Sequence, residues 1–328
     1  MNYQDDLTND EMDVAILAQD ELNERTEFSL AEIAEMNFPP IKFMLEPILT
    51  DMGGTVVFGG REKVGKSFCI LLWMQELAQK GMKSYYYSAE DNYRRLADRN
   101  MKLDISAQEQ EMIICRAGKN KPIDRDNFIY ELENMFINDP NLKVAWLDTM
   151  LLSLPEKTRK DYSEWSNDIR PWNLLAEKYD RKIVMTHHCN KQGESPKDSL
   201  LGSVGIGASF EDILVIQKEG GTATLYTDGK DLEENTYELE KLKFGWKVKD
   251  IIDPRYVGLG ETEKWVIDLM GRDPKYAKSQ KELKAKSEHQ GKEINERQLN
   301  DIITKLWDRN LIDSDKGKVR GAKYWSVI

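Results

Sequence analysis

Cysteine is scarce in this 328-residue chain, which holds only Cys69, Cys115 and Cys189. Three is an odd number, and no two of them stand in a Cys-x-x-Cys spacing. Neither a disulfide framework nor a cysteine zinc site is expected, and a reducing compartment is the simpler setting. Histidine is equally rare, with three copies. Long apolar runs are missing too, and nothing approaches the ~18 residues that span a bilayer. The first 20 residues carry Asp5, Asp6, Asp10, Glu11, Asp13 and Asp20 but no Lys or Arg, unlike the cationic start of a secretory leader. A cytoplasmic protein without a membrane segment is the expectation.

What is abundant is charge. Charged residues make up 32 % of the chain and hydrophobic ones 40 %, which excludes disordered and fibrous classes and fits about two folded domains. The net charge of −11 is unevenly placed. Residues 1–36 hold eleven acids and one Arg, whereas residues 261–328 hold fifteen Lys or Arg against twelve acids. The acidic total argues against blanket nucleic-acid binding but leaves room for a local basic surface.

Four segments follow from the pattern. Residues 1–36 read as an acidic arm, either solvated or docking a subunit, with helical patches at Glu11–Asn23 and Ser29–Glu35. Ser29 and Glu32 have the spacing of a capping box. Residues 37–250 form the core. Strands are expected at Thr55–Phe58, Ser84–Ser88, Met112–Cys115, Lys143–Leu147 and Lys182–Thr186, alternating with helices at Ser67–Gln79, Asp126–Asn138 and Ser163–Lys178. Hairpin strands follow at Asp212–Gln217, Ala223–Thr227 and Thr236–Leu242. This is an α/β fold with a mainly parallel sheet and an antiparallel extension. Residues 251–260, with Pro254, Gly258 and Gly260, read as a linker. Residues 261–328 hold three helical patches and a closing hairpin, the order of a winged helix.

The sharpest motif is Gly60-Arg61-Glu62-Lys63-Val64-Gly65-Lys66-Ser67, followed by Phe68 on the helix. It satisfies G-x-x-x-x-G-K-[ST] between a strand and a helix, the context a phosphate loop needs. The glycines let backbone N–H groups curl inward, and the helix N-terminus faces the anion. Lys66 is placed to reach the β- and γ-phosphates of ATP and Ser67 to ligate Mg²⁺. Asp148, ending the apolar run Val144–Leu147, supplies the second acid for the metal. Glu90 follows the strand Tyr85–Ser88 and is the candidate to polarise the attacking water, with Asp91 its competitor. Its early place after the phosphate-loop helix suggests that its strand lies beside the phosphate-loop strand. His187 and His188 end a later strand. Adjacent side chains on a strand point apart, so zinc is a poor fit. A sensor of the γ-phosphate and a purely structural pair stay open.

The segments GGREKVGKS, YYYSAED, VAWLD, MTHHCNK and LLGSVGIGASFEDILVI, in this order, resemble the RecA-like ATPases of the RepA type, replicative helicases of plasmids and phages within the DnaB/RecA group. The resemblance covers about residues 38–248. It implies a RecA-like P-loop core, a ring, usually of six subunits, with ATP between subunits and DNA in the pore. It also implies Glu90 as catalytic acid, Asp148 as metal-site acid and His187 or His188 as sensor. The chain departs from the pattern where relatives carry a trans-acting Arg: Thr227-Asp228-Gly229-Lys230-Asp231 offers Lys230, which keeps the charge without the planar fork. Lys241 and Lys243 compete with it.

Two polar loops would face the pore of such a ring and contact single-stranded DNA. One carries Lys157, Arg159 and Lys160; the other carries Lys191 and Lys197. In the C-terminal segment Arg297, on the expected recognition helix, and Lys316, Lys318 and Arg320, on the expected wing, point to duplex DNA, with a protein partner as the alternative.

Overall fold

The computed structural model describes residues 27–36, 38–156, 162–189, 196–200, 204–219, 222–252, 259–270, 278–289, 294–309, 311–316 and 323–327. The helical patch expected at Glu11–Asn23 lies outside them. The capping box at Ser29 is formed: Ser29 Oγ accepts from the Glu32 backbone, and the Glu32 carboxylate accepts from Ser29 N. It starts the short helix α1 (Leu30–Glu35). A small antiparallel pair, β1 (Phe43–Leu45) and β2 (Leu49–Thr50), then leads to β3 (Gly54–Gly60), buried along its whole length.

The chain continues through α2 (Lys66–Gln79), β4 (Lys83–Ser88), α3 (Tyr93–Leu103), α4 (Ala107–Glu111) and β5 (Ile113–Ala117). Next come α5 (Phe128–Asn138), β6 (Leu142–Asp148), α6 (Tyr162–Lys178) and β7 (Lys182–His188). The last part of this unit is α7 (Val204–Ser209), β8 (Asp212–Glu219), β9 (Thr222–Gly229), β10 (Asn235–Lys241) and β11 (Trp246–Ile251). The strands form one nine-stranded sheet in the order β11-β10-β9-β8-β3-β7-β6-β4-β5. From β8 to β5 the neighbours are parallel, and from β8 to β11 they are antiparallel.

Helices cover both faces, so the central strands read as apolar runs rather than alternating ones. Phe58, Trp73 and Trp146 pack on the α2 face, and Val57, Phe128, Trp165 and Trp172 on the face of α5 and α6. Each such fully buried side chain contributes roughly 1.5–3 kcal/mol. The expected neighbour of the phosphate-loop strand is corrected here: β4 does not lie beside β3, because β7 and β6 stand between them. At the N-terminal end of the parallel strands, Lys182 is fully buried and donates to Asp212 at 2.8 Å and Asp231 at 3.2 Å.

The structure divides into two compact units between Ile251 and Ile252. The second contains α8 (Glu261–Met270), β12 (Lys278–Ser279), α9 (Gln280–His289), α10 (Glu296–Asp308), β13 (Ile312–Lys316) and β14 (Lys323–Val327). Its strands pair in the order β12-β14-β13, and Val266, Leu269, Leu283, Leu299, Ile303 and Leu306 form its core. Among the described residues no helix is long and apolar enough to cross a membrane.

Candidate functional site

The C-terminal ends of β3, β4, β6 and β7 open into one cleft of about 540 Å³. Such strand ends are where open α/β sheets place their ligands. On one side Glu62, Lys63, Val64, Gly65, Lys66, Ser67 and Phe68 line it, and on the other Ser88, Glu90, Asp91, Asp148 and His188 do. Gly65 caps α2 at φ 110°, in the left-handed region open to glycine, and no side chain satisfies the first-turn N–H groups. Those donors and the helix dipole make the loop an anion cradle. Gly60 and Arg61 contribute their carbonyls, which hold the Lys66 ammonium at 2.7 and 3.3 Å. Burial pushes that ammonium below its usual range, against the pull of the Asp148 carboxylate. A phosphate arriving in the cradle would give Lys66 a stronger partner than two carbonyls.

Asp148 is clamped from three elements. Tyr86 of β4 and Ser67 of α2 donate to its Oδ2 at 2.9 and 2.8 Å, and Thr186 of β7 donates to its Oδ1 at 2.6 Å. Burial, and then the Asp148 charge, push the Tyr86 phenol well above its ordinary range, so it stays a proton donor. The direct Ser67–Asp148 pair brings together a hydroxyl and a carboxylate, the hard oxygen donors that Mg²⁺ takes beside nucleotide phosphates.

Glu90 and Asp91 differ sharply. Glu90 is exposed to the cleft. Asp91 is 4 % exposed and accepts from Ser88 Oγ at 2.8 Å, Arg95 at 3.2 Å and Arg99 at 2.5 Å. His188 and His187 are separated by strand parity. His188 lines the cleft, and its buried Nδ1 has no hydrogen-bond partner among the described residues. His187 does not line the cleft: it is buried on the other side, its ring edge-on to Trp165 at 6.2 Å.

Lys230 lies away from this cleft in its own chain. It follows β9 beside the start of β8, at the opposite end of the parallel strands, and donates to Glu211 at 2.7 Å. It lines a second hollow of about 430 Å³ with Lys197, whose ammonium pairs with Asp228. Arg297 is exposed on α10. Lys316 ends β13. Lys157, Arg159, Lys160, Lys191, Lys318 and Arg320 lie outside the described residues.

Arg95, Arg99 and Thr149 also line the cleft and had no signal in the motif reading. Arg99 stands over the Phe68 ring at 5.6 Å, and Phe68 stacks on Phe244 at 5.4 Å. Beneath the phosphate loop the Trp246 indole donates to Val64 O at 2.7 Å.

A family profile described as an AAA domain matches residues 18–194. The ATPase domain of G40P superposes with a TM-score of 0.50 at 13 % identity, over 76 % of this chain and 100 % of that one. A KaiC-like protein, PH0186 from the hyperthermophilic archaeon Pyrococcus horikoshii OT3, superposes with a TM-score of 0.44 at 16 % identity, over 60 % of this chain and 90 % of its own. No curated protein sequence matches. The profile spans more than half of the chain, with the whole strand, phosphate loop and helix unit inside it, and so this protein belongs to the AAA domain family, a P-loop ATPase with a RecA-like fold.

Proposed function

We propose that the ATPase is a ring-forming motor, of six subunits, that acts on DNA as a replicative helicase or replication factor of the plasmid and phage type. The observation that carries this reading is the convergence of the phosphate loop, Glu90, Asp148 and His188 on one cleft. In it Lys66 leaves its two carbonyls for the β- and γ-phosphates. Ser67 and Asp148 would hold Mg²⁺, and the ion would neutralise phosphate charge when bound. Glu90 orients a water for in-line attack and takes its proton. His188, whose Nδ1 has no partner among the described residues, senses the γ-phosphate at the end of β7. Lys230, far from its own cleft, supplies a cation to the cleft of the neighbouring subunit. The loops holding Lys157, Arg159, Lys160, Lys191 and Lys197 face single-stranded DNA in the pore. The C-terminal unit, with the element order of a winged helix, meets duplex DNA through Arg297, Lys316, Lys318 and Arg320.

A second reading is a non-translocating switch in which ATP sets the oligomeric state and the C-terminal unit binds DNA or a partner protein. The exposed surface of α10 favours a protein partner, since Glu296, Asp301 and Asp308 face only Arg297 and Lys305, the latter already paired with Glu263, and Trp307 is 42 % exposed. ATPase rates with and without single-stranded DNA, unwinding of tailed duplexes, and mass by light scattering separate the two. The motor reading expects stimulation, unwinding and a six-subunit mass. Hydrolysis indifferent to DNA, with no unwinding, would leave the switch.

A further inference from the structure

The start of β11, with the turn that leads into it, is built into the floor of the phosphate loop. Trp246 is 2 % exposed. Its indole N–H donates to the Val64 carbonyl, the peptide immediately before Gly65. The fit around it is close. A Cβ placed on Gly65 would meet the indole nitrogen at 3.2 Å, and the Trp246 carbonyl faces Cys69 Sγ of α2 at 3.9 Å. From the other side, the Lys241 ammonium lies over the indole ring at 4.4 Å. Carbonyls in a phosphate loop must point away from the anion while the N–H groups point toward it. A buried donor fixed behind Val64 enforces that division before nucleotide arrives.

We propose that Trp246 is a positioning residue for ATP: its indole N–H latches the Val64 carbonyl, so that the loop stands pre-curled and the β10–β11 turn moves with it. The proposal rests on the reading of this cleft as the ATP site. With the latch removed, part of the binding energy goes into ordering the loop, as in any site that loses preorganisation. The loss should appear in affinity rather than in the chemical step.

The test is the affinity of a fluorescent ADP for the full chain carrying Trp246→Phe, which keeps an aromatic ring and deletes the donor. Binding is expected to weaken about five- to tenfold, the factor that one net hydrogen bond represents. KM for ATP should rise with it, and kcat should fall less. Leu239→Ala removes a buried side chain of the same sheet extension and controls for lost stability. It should lower the melting temperature yet bind within twofold of the parent. If the parent itself binds no fluorescent ADP, the cleft is misread and the proposal falls with it. If the parent binds and Trp246→Phe binds equally well, the latch alone is overturned. Should Trp246→Phe not fold, amide hydrogen exchange on the parent decides. Protection by ADP that appears together in residues 60–66 and 244–248 supports the latch, and protection confined to residues 60–66 overturns it.

Discussion

Glu90 and Asp91 are neighbours in sequence with opposite environments, and substitutions should separate them. Glu90→Gln should bind ATP and hydrolyse it at least ~10²-fold slower with an unchanged melting temperature, the scale of a lost acid–base group. Asp91→Asn weakens the hydrogen bonds to Arg95 and Arg99, which stay partly solvated at the cleft, so it should destabilise by about 1–2 kcal/mol. Turnover and denaturant melts on both variants check this, and the reverse pattern would move the catalytic role to Asp91. Lys66→Ala should abolish hydrolysis with its circular dichroism spectrum intact; normal turnover would remove the phosphate loop from the site. The phosphate loop was legible in the sequence because its chemistry is local, one strand, one turn and one helix. Asp148 was legible because an apolar run ends on it. Arg95, Arg99 and Trp246 were not, because their roles come from contacts across the fold. The His187–His188 pair could be narrowed only by parity, and the structure shows which of the two faces the cleft.

Long elements with a strong apolar pattern are legible in the sequence, whereas the polar ones and the short β1–β2 pair are not. α3 escaped the reading because Leu96 is its one buried residue. α7 carries two glycines in six residues and looks like loop. β11 is an edge strand with Lys247, Lys249 and Asp250 turned outward, charge that protects an edge and mimics a linker. The order of strands was not legible, since β7 and β6 enter between β3 and β4 only later in the chain. One missed element makes a pH prediction. Glu109 of α4 accepts from Gln79 at 2.6 Å and Gln75 at 3.0 Å of α2, and from Ser106 N at 2.8 Å. These bonds, the Gln79 one foremost, hold its carboxyl down to about 2. An unfolded Glu titrates near 4.3, so the stabilisation is present above about pH 4.3 and lost as pH falls toward 2. Glu109→Ala should flatten the melting temperature between pH 4.5 and about 2 relative to the parent. An unchanged acid limb in thermal melts would detach α4 from this role.

For the whole molecule, the sites of interest lie at two ends of the sheet. The nucleotide cleft opens at one end and Lys230 stands at the other, paired with Glu211, and on the proposed ring reading its cation serves a second copy. Lys230→Ala should lower turnover with near-normal ATP binding, and mixing it with Lys66→Ala subunits should restore activity. Flat activity across all mixing ratios would reduce Lys230 to a partner of Glu211. The second unit has its own core and should fold as residues 259–328, with a stability of about 3–5 kcal/mol. If it reads duplex DNA, binding should weaken with salt at a slope of about −0.9 per phosphate contacted. Replacing Lys316, Lys318 and Arg320 together by Ala should flatten that slope by up to about three. A folded fragment with no salt-dependent duplex binding would assign this unit to a protein partner.

The bond from Trp246 to Val64 spans 182 residues of sequence. A ribosome reaches the phosphate loop early and its floor late. Until β11 has emerged, the nascent chain carries the whole phosphate-loop signature without the support beneath it, and the strands β4, β6 and β7 that open into the cleft also arrive after it. Loop closures of this length are slow to form, because chain entropy is lost before the contact is made. On the proposed latch, an unfinished or C-terminally truncated copy therefore holds a recognisable motif and a weaker cradle. The full affinity for nucleotide, on the same proposed latch, is reached only once synthesis has passed residue 246.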